Sequence, residues 1–316
     1  MDFGRVLPEL LGQVDFSLPP DPQLTQKILP GKPAADPGLF LGATRWTVGE
    51  WVGNLYPRLT KPAGFLTAYA RQLNTVELNA THYKIYSREE LQKWVQQVDD
   101  AGDSVNHPGE FVFCPKLYQG ISHRGALKGK ESLVQEFSSA VQVFNEGKFT
   151  RLGPIFIQFS DSFAPGRQVE LLEFLASLPA SVQWMIELRH PAWFEASSRM
   201  QDFFGMLAQL KIGLVITDVA GRRDVNPMLL TVPNVMIRFV GNQGHATDYS
   251  RMESWAERLG QWFACGLETA YFFLHLGEEG LVPKFSVYAG QLLKQKTGVE
   301  TAVPVLEEEP KQGSLF

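Results

Sequence analysis

Acidic, basic and imidazole side chains follow several short apolar runs in this 316-residue chain. The clearest example is the run over residues 184–188, where Glu187 is followed closely by Arg189 and His190. Side chains two apart in a strand point to the same side, so Glu187 and Arg189 are expected to share one face. Such a pair is either a buried ion pair that joins two elements or part of a catalytic site. The recurrence of the pattern along the chain favours the catalytic interpretation.

Collected over the whole chain, these run ends and the loops that follow them supply groups for acid–base chemistry and for holding a substrate. The candidate catalytic groups are Glu77, Lys116, Glu187 and His190. The candidate substrate-binding groups are Arg45, Asn79, Tyr83, His123, Gln158, Arg189, Trp193 and Arg238. Several arginines and a lysine at one site suit an anionic substrate, a phosphate or a carboxylate.

The same set contains donors suited to a divalent metal ion. Carboxylate and imidazole groups bind Mg²⁺, Mn²⁺ or Zn²⁺, and such a metal would polarise a carbonyl or phosphoryl oxygen or activate water. The alternative is a metal-free site with a glutamate as general base and Lys116 or His190 as acid. The chain contains no linear His-Glu-x-x-His motif. The candidate ligands are Glu77, Glu187, Asp218 and His275.

Short strands alternating with amphipathic helices must bring these residues together. A (β/α)₈ barrel of the TIM type is the most economical α/β architecture, because the carboxyl ends of its strands meet on one face. A doubly wound open sheet is the second interpretation, although no glycine-rich dinucleotide turn follows the first run. The predicted strands are residues 38–44, 75–79, 111–117, 154–159, 184–188, 212–218, 235–240 and 270–275.

Local sequence signals refine the predicted boundaries of the helices, strands and domains. The segment Ser87-Arg88-Glu89-Glu90 resembles a capping box and predicts a helix over residues 87–98. Pro115 cannot donate a ladder hydrogen bond, so the third strand should bulge or stop there. Residues 1–37 are predicted to form an extension wrapped over the domain or partly mobile, residues 38–298 the barrel, and residues 299–316 a disordered tail.

Composition restricts the class of protein. A net charge of −5 provides no overall basic field for nucleic acid, although a local basic cleft leaves that ligand open. The sequence has neither a secretory-type opening nor an apolar run near the roughly 20 residues needed to span a bilayer, which predicts a cytoplasmic protein without membrane contact. Cys114 and Cys265 are predicted to be buried reduced thiols, and His82, His107 and His245 surface loop residues.

The chain ends on Gln312-Gly313-Ser314-Leu315-Phe316. This ending is similar to the short Gln-x-Ser/Asp-Leu-Phe peptide with which bacterial DNA-processing proteins bind the sliding clamp, but it lacks the usual leucine at the second position. A peptide with two apolar anchors suits a groove. One hypothesis is therefore a non-catalytic DNA-maintenance factor that binds the clamp through Gln312, Leu315 and Phe316. The alternative is an incidental apolar end.

Seven segments carry a resemblance to a known family: WVGNLYP at 51–57, TVELNATHY at 75–83, FCPK at 113–116, SH at 122–123, LGPIFIQF at 152–159, ELRHPAW at 187–193 and IR at 237–238. Together they resemble the DUF72 family, the YecE-like proteins, over most of residues 38–293. The resemblance implies a TIM-type barrel and no settled activity. Two strand ends depart from the family pattern, since Val240 stands where a histidine is usual and Leu274-His275 where the family has Asn-Asn. If those positions carry chemistry, it is altered or lost here, or His275 replaces the missing imidazole.

These observations predict a barrel enzyme that acts on an anionic, phosphate-bearing substrate by hydrolysis or proton transfer. Glu77 and Glu187 would act as bases or metal ligands, while Arg189, Arg238 and Lys116 would bind the anion. Comparable carboxylate and histidine faces in barrels of the endonuclease IV and xylose isomerase type are an analogy of fold alone. A catalytically degenerate barrel that binds a small anion is a third interpretation.

Overall fold

The computed structural model describes residues 4–102 and 109–307. Within these residues, nine short strands form one parallel sheet. Most of their side chains are buried, as expected for a parallel sheet that is covered on both faces. The strands are β1 (Gly38–Ala43), β2 (Thr75–Leu78), β3 (Phe111–Pro115), β4 (Thr150–Leu152), β5 (Ile155–Gln158), β6 (Trp184–Glu187), β7 (Gly213–Asp218), β8 (Asn234–Val240) and β9 (Thr269–His275).

Helices connect the strands and cover the outer face of the sheet. No helix in the described part of the chain is both long and apolar enough to cross a bilayer. The helices are α1 (Gln23–Ile28), α2 (Phe65–Ala70), α3 (Ala80–Tyr83), α4 (Arg88–Asp99), α5 (Gln119–Ser122), α6 (Glu131–Val141), α7 (Gln168–Ala176), α8 (Ser198–Gln209), α9 (Ala246–Cys265) and α10 (Val282–Thr297).

The sheet order is β4-β3-β2-β1-β9-β8-β7-β6-β5, so the first strand lies beside the last. The order follows the chain without the reversal that a doubly wound sheet requires, and that alternative is therefore wrong. An isolated parallel bridge joins Lys116 to Phe156, and Leu117 N donates to Phe156 O at 2.9 Å. The architecture is a curled parallel sheet covered by helices, consistent with a TIM-like fold.

All eight predicted strands are present, with ends within two residues of the predicted ones. The additional strand β4 was not predicted, because its three residues include polar Thr150 and Arg151 and carry no apolar pattern. The third strand stops at Pro115 as expected. The capping box at the start of α4 is confirmed, since Glu90 N donates to Ser87 Oγ and Ser87 N donates to the Glu90 carboxylate.

Strand alternation divides the apolar residues into two cores. One core packs between the sheet and the helices. The other contains Val112, Cys114, Phe156, Met185, Val215, Met236, Tyr271 and Phe273, which come from six strands and face the interior of the curled sheet. In each of these six strands, or directly after its end, the next inward-facing position toward the carboxyl end, two residues further along, is polar. With Glu77 of β2 these positions form the polar layer, which consists of Glu77, Lys116, Gln158, Glu187, Thr217, Arg238 and His275.

The N-terminal extension lies against the loop after β7 and against α9. Gly221 N donates to Gly4 O at 2.8 Å. The Asp21 carboxylate accepts from Arg258 at 2.6 Å and from Trp262 at 2.9 Å, both on α9. Buried Thr25 donates its hydroxyl to Met228 O. The first contact places the start of the extension beside the carboxyl end of β7, and the others hold the rest of it against α9 and the segment before β8.

The expectation of a disordered tail is wrong for residues 299–307. Val299 and Ala302 are buried, and Glu307 N donates to Asn54 O at 2.8 Å. Gly290 in α10 permits this packing, because a Cβ atom there would lie 2.3 Å from Ala302 O. Residues 308–316, including the clamp-like Gln312, Leu315 and Phe316, lie outside the described residues, so clamp binding stays a prediction.

Two predictions about single side chains are wrong. Cys265 is exposed at the end of α9, whereas Cys114 is buried as expected. His82 is buried, and its Nδ1 contacts Leu117 O at 2.8 Å, which makes Nδ1 the protonated donor. His245 is part-buried and caps α9, its Nδ1 accepting from Thr247 N. His107 lies outside the described residues.

Candidate functional site

Arg238 of β8 lies at the centre of the polar layer and is 1% exposed. Its Nε and Nη2 donate to the two oxygens of Glu77 at 2.9 and 3.0 Å, while Nη1 donates to Glu187 Oε2 at 2.7 Å. The fork of the guanidinium matches a carboxylate in this two-bond geometry. One buried arginine therefore joins β2, β6 and β8 across the interior of the curled sheet.

Glu187 uses the full accepting capacity of its carboxylate. Oε1 accepts from Arg189 Nε at 2.7 Å and from Thr217 Oγ1 at 2.9 Å. Oε2 accepts from Gln158 Nε2 at 2.7 Å in addition to Arg238. A carboxylate offers about four lone-pair directions, and here each is occupied. Glu187 in this arrangement has none left for a substrate proton or a metal ion.

Glu77 is surrounded in the same way. Besides the two bonds from Arg238, it accepts from Asn79 Nδ2 at 2.9 Å and contacts His275 Nε2 at 2.7 Å. The ionised carboxylate can only accept, so His275 carries a proton on Nε2 and donates it. Burial lowers the pKa of His275, which leaves the ring neutral at pH 7 with Nδ1 unprotonated.

Charge pairing keeps both glutamates ionised. Burial alone would raise the pKa of Glu187, but Arg238, Arg189 and the Gln158 hydrogen bond outweigh it and hold that pKa at about 2. Burial likewise opposes ionisation of Glu77, yet Arg238 and His275 hold its pKa well below the usual range. Both side chains thus serve as anionic anchors for the cations around them.

The lowered carboxyl pKa values predict a loss of stability in acid. A carboxyl pKa that is lower in the folded than in the unfolded state stabilises the fold at pH values above the pKa of the unfolded state, which is near 4.5. This contribution disappears as the pH falls toward the pKa of the folded state. For Glu187 the contribution is about 3 kcal/mol at neutral pH. We expect the free energy of unfolding, measured in urea, to fall between pH 4.5 and 2. Glu187→Gln should show a shallower fall, and an equal slope in both proteins would contradict the assignment.

Lys116 follows the end of β3 and is 7% exposed. Its Nζ donates to Gln158 Oε1 at 2.8 Å. No ion pair with a carboxylate within 4.0 Å is found for it among residues 4–102 and 109–307. Burial and then the charge of Arg238 lower the pKa of Lys116 to about 8, although Glu187 and Glu77 oppose the shift. A measurable fraction of the amine is therefore unprotonated near neutral pH.

A cleft of about 680 Å³ opens at the carboxyl ends of the strands. Lys116 and His275 of the polar layer line it together with Asn79, which follows β2, and residues 4–6, 8 and 11 of the extension line it from another side. Two predicted binding residues lie at its edge, since Tyr83 is 70% exposed and Arg45 pairs with Glu279 at 3.0 Å. Lysine and arginine, an amide and an imidazole thus meet in one cavity.

The predicted set of metal ligands does not assemble. Asp218 faces away from the polar layer, where it accepts from Arg251 and Trp255 of α9 and also pairs with Arg223. Arg238 lies between the two glutamates. No group of three His, Cys, Asp or Glu side chains arranged for a metal ion occurs in the described ranges. The prediction of Glu77, Glu187, Asp218 and His275 as one ligand set is therefore wrong, because Asp218 points to the opposite face of the sheet and Arg238 separates the two glutamates.

Three further candidates lie outside the polar layer. His190 Nδ1 accepts from Ala192 N and so caps the turn Pro191–Trp193. Trp193 is fully buried, donates its Nε1 to Phe163 O at 2.6 Å and does not reach the cleft. His123 is 5.0 Å from the His82 ring, between centroids. Burial and then the charges of Lys116 and Arg189 lower the pKa of His123, so it lies in the field of the cationic groups.

Sequence reasoning missed two contributors to the site. Thr217 binds Glu187, but the more acidic Asp218 beside it was predicted to be the chemically active strand end. Thr217 is paired with Arg238 in the β7–β8 register, which places both side chains on one face of the sheet, but no pattern in the sequence gives this register. The second contributor is the extension, whose Arg5 lines the cleft although no sequence pattern places it there.

The curled parallel sheet, with polar side chains gathered at its carboxyl end, defines a TIM-like α/β protein. The family model described as "Protein of unknown function DUF72" matches residues 40–311, and the chain belongs to this family. The resemblance seen in the sequence segments is thereby confirmed.

Two relatives and one solved structure are similar to this chain, two of them over most of its length. UPF0759 protein YecE of Escherichia coli (strain K12) is 28% identical over 296 residues, which cover 88% of this chain and all of that protein. UPF0759 protein YunF of Bacillus subtilis (strain 168) is 25% identical over 49% of this chain and 52% of its own. The crystal structure of a DUF72 family protein from Enterococcus faecalis V583 has a TM-score of 0.60 and 18% identity, and the match covers 86% of this chain and 98% of that one. That last match supports the fold alone.

Proposed function

We propose that the chain is a closed (β/α)₈ barrel enzyme that binds a small anionic, phosphate-bearing substrate in the cleft and transfers a proton through Lys116. One observation carries the proposal: a buried lysine with a pKa of about 8 lines a strand-end cleft. General acid–base groups are most effective when their pKa lies near the working pH. The neutral imidazole of His275 provides a second group for moving protons in the same cleft.

Barrel closure is supported by contacts between β3 and β5. The Lys116–Phe156 bridge and the hydrogen bond from Lys116 Nζ to Gln158 Oε1 join these strands. Only residues 153 and 154 separate β4 from β5. In this proposal β4 and β5 are one interrupted strand, which reduces the nine strands to the eight of the barrel.

The charge balance favours an anion. Arg238, Arg189 and protonated Lys116 contribute three positive charges, and Glu77 and Glu187 contribute two negative ones, so the polar layer together with the adjacent Arg189 carries a net charge of +1. A positive charge with little access to water attracts a phosphate or carboxylate strongly. The glutamates then act as positioning residues, since they hold Arg238 and orient Gln158.

Replacing Lys116 with methionine tests the proposal. We expect inorganic phosphate or glycerol 3-phosphate to raise the melting temperature of the unmodified protein by mass action. Lys116→Met should bind these anions at least about tenfold more weakly, because a charge-assisted hydrogen bond contributes about 1.5–3 kcal/mol. Calorimetric titration measures the affinity directly.

Lys294→Met is the matched control, since the Lys294 side chain is 50% exposed on α10. It should retain the affinity of the unmodified chain. Equal binding by the Lys116→Met protein would overturn the assignment of the cleft as the anion site.

A further inference from the structure

We propose that Lys116 is also a nucleophile, which forms an imine with a small aldehyde or ketone that carries an anionic group. This inference rests on the proposed function, because binding of the anionic group is what would hold the carbonyl carbon near Lys116 Nζ. It goes further by naming the substrate class and by adding a covalent step.

The polar partner of Lys116 is the first observation that carries the inference. Gln158 donates its Nε2 to Glu187 Oε2 at 2.7 Å, which turns its Oε1 toward Lys116 Nζ at 2.8 Å. Glu187 is itself held by Arg189, Thr217 and Arg238, so the orientation of the amide is set by the network. A carboxylate in the place of Gln158 would favour the ammonium form. A neutral amide oxygen accepts from an amine and from an ammonium group alike.

The surroundings of Lys116 further favour the amine form. Burial disfavours the charged form, and the positive charge of Arg238 adds to this effect. With a pKa of about 8, roughly a tenth of the lysine is unprotonated at pH 7, compared with less than a thousandth for an ordinary lysine. Desolvation and neighbouring cations are the means by which nucleophilic lysines are activated.

The cleft supplies what the covalent step needs. The Nζ lone pair attacks the carbonyl carbon, a C–N bond forms, and the carbonyl oxygen takes a proton to become a hydroxyl group. The nitrogen loses two protons in all, one that goes to the carbonyl oxygen and a second that goes to the resulting hydroxyl group, which then departs as water and leaves the C=N bond. His275, neutral and with Nδ1 unprotonated, lines the same cleft and is suited to accept and return these protons. The products are one imine and one water.

Arg5 also lines the cleft and supplies a cation for the anionic group of the substrate. The two glutamates have no free lone pair in this arrangement, because hydrogen bonds from the polar layer and from Arg189 and Asn79 occupy all of them. Among the groups of the polar layer, Lys116 is therefore the one suited to covalent attack.

Borohydride trapping tests the inference on the full chain. The purified protein is incubated with dihydroxyacetone phosphate at pH 7 and treated with sodium borohydride, which delivers hydride to the imine carbon and leaves a stable secondary amine. Intact mass and peptide mapping should find one adduct per chain at Lys116. Glycerol 3-phosphate, which has the same phosphate but no carbonyl, should give no adduct.

Two variants serve as controls. Lys116→Arg keeps the positive charge but cannot form the imine, and should lose the adduct while still binding glycerol 3-phosphate. Lys294→Arg should be labelled like the unmodified chain.

The outcomes separate this inference from the proposed function. Thermal stabilisation by both phosphates with no adduct at Lys116 would overturn the imine and leave anion binding intact. Stabilisation by neither phosphate, without an adduct, would overturn both. Equal labelling of Lys116 and of exposed lysines such as Lys294 would also overturn the imine, because it would show ordinary surface reactivity.

Discussion

Replacing Arg238 with alanine is expected to lower the free energy of unfolding by about 3–5 kcal/mol, because it leaves two buried glutamates without their shared cation. Glu77 and Glu187 are both at most 1% exposed, and each loses hydrogen bonds as well as charge pairing. Their pKa values should rise. The loss of stability should therefore be largest at neutral pH and smaller toward pH 4, where the glutamates of the variant become protonated. Urea unfolding at both pH values measures this difference.

Arg45→Ala provides a matched comparison at the edge of the cleft. Arg45 forms a single ion pair with Glu279, and its side chain is 59% exposed. An exposed pair contributes about 0–1 kcal/mol, so this variant should unfold almost as the unmodified chain does. If Arg238→Ala and Arg45→Ala had similar effects, the buried cluster would not stabilise the fold as inferred.

A second comparison separates two effects of removing Arg238: the loss of the ion pairs with Glu77 and Glu187, and the loss of the packing of its side chain. In the Arg238→Met background, Glu77→Gln and Glu187→Gln remove the unpaired charges. We expect this triple variant to be more stable than Arg238→Ala, because replacing a whole buried ion cluster with neutral side chains is often close to neutral. A triple variant less stable than Arg238→Ala would show that the charges themselves were not the source of the penalty.

The sequence predicted the strands well because each is a short and nearly continuous apolar run. Strand alternation also placed Glu187 and Arg189 on one face, and the two side chains are in contact at 2.7 Å. The prediction was wrong at the end of β7, where two adjacent polar residues competed. Only the packing of α9, which presents Arg251 and Trp255 to Asp218, determines that Thr217 faces inward.

Chemical roles were harder to predict than positions. A buried glutamate at a strand end is typical of a general base, and the sequence shows nothing of the four hydrogen bonds that saturate Glu187. Those partners come from β5, β7, β8 and the loop after β6, so the information is in the tertiary structure. The extension lacks periodicity, and its place beside the cleft depends on long-range contacts such as Gly4 to Gly221.

Asp218→Asn tests the ion cluster of Asp218, Arg223 and Arg251 separately from the cleft. This variant has the second large expected effect. The substituted side chain would keep the shape of the aspartate but lose the negative charge that faces buried Arg251 and, through a second contact, Arg223. We expect the free energy of unfolding to fall by about 3 kcal/mol, since a buried cation loses its main partner. Affinity for inorganic phosphate, titrated well below the melting temperature, should not change because Asp218 points away from the polar layer.

The control for this variant is Asp224→Asn, which neutralises a carboxylate that is 45% exposed and paired with Arg222. Its unfolding free energy should change by less than about 1 kcal/mol. The opposite pattern for Asp218→Asn, weaker phosphate binding with unchanged stability, would place Asp218 at the substrate and restore the role that its position at a strand end first suggested. The free energy of unfolding and the phosphate affinity together therefore determine whether Asp218 belongs to the ion cluster with Arg251 and Arg223 or to the site that binds the substrate.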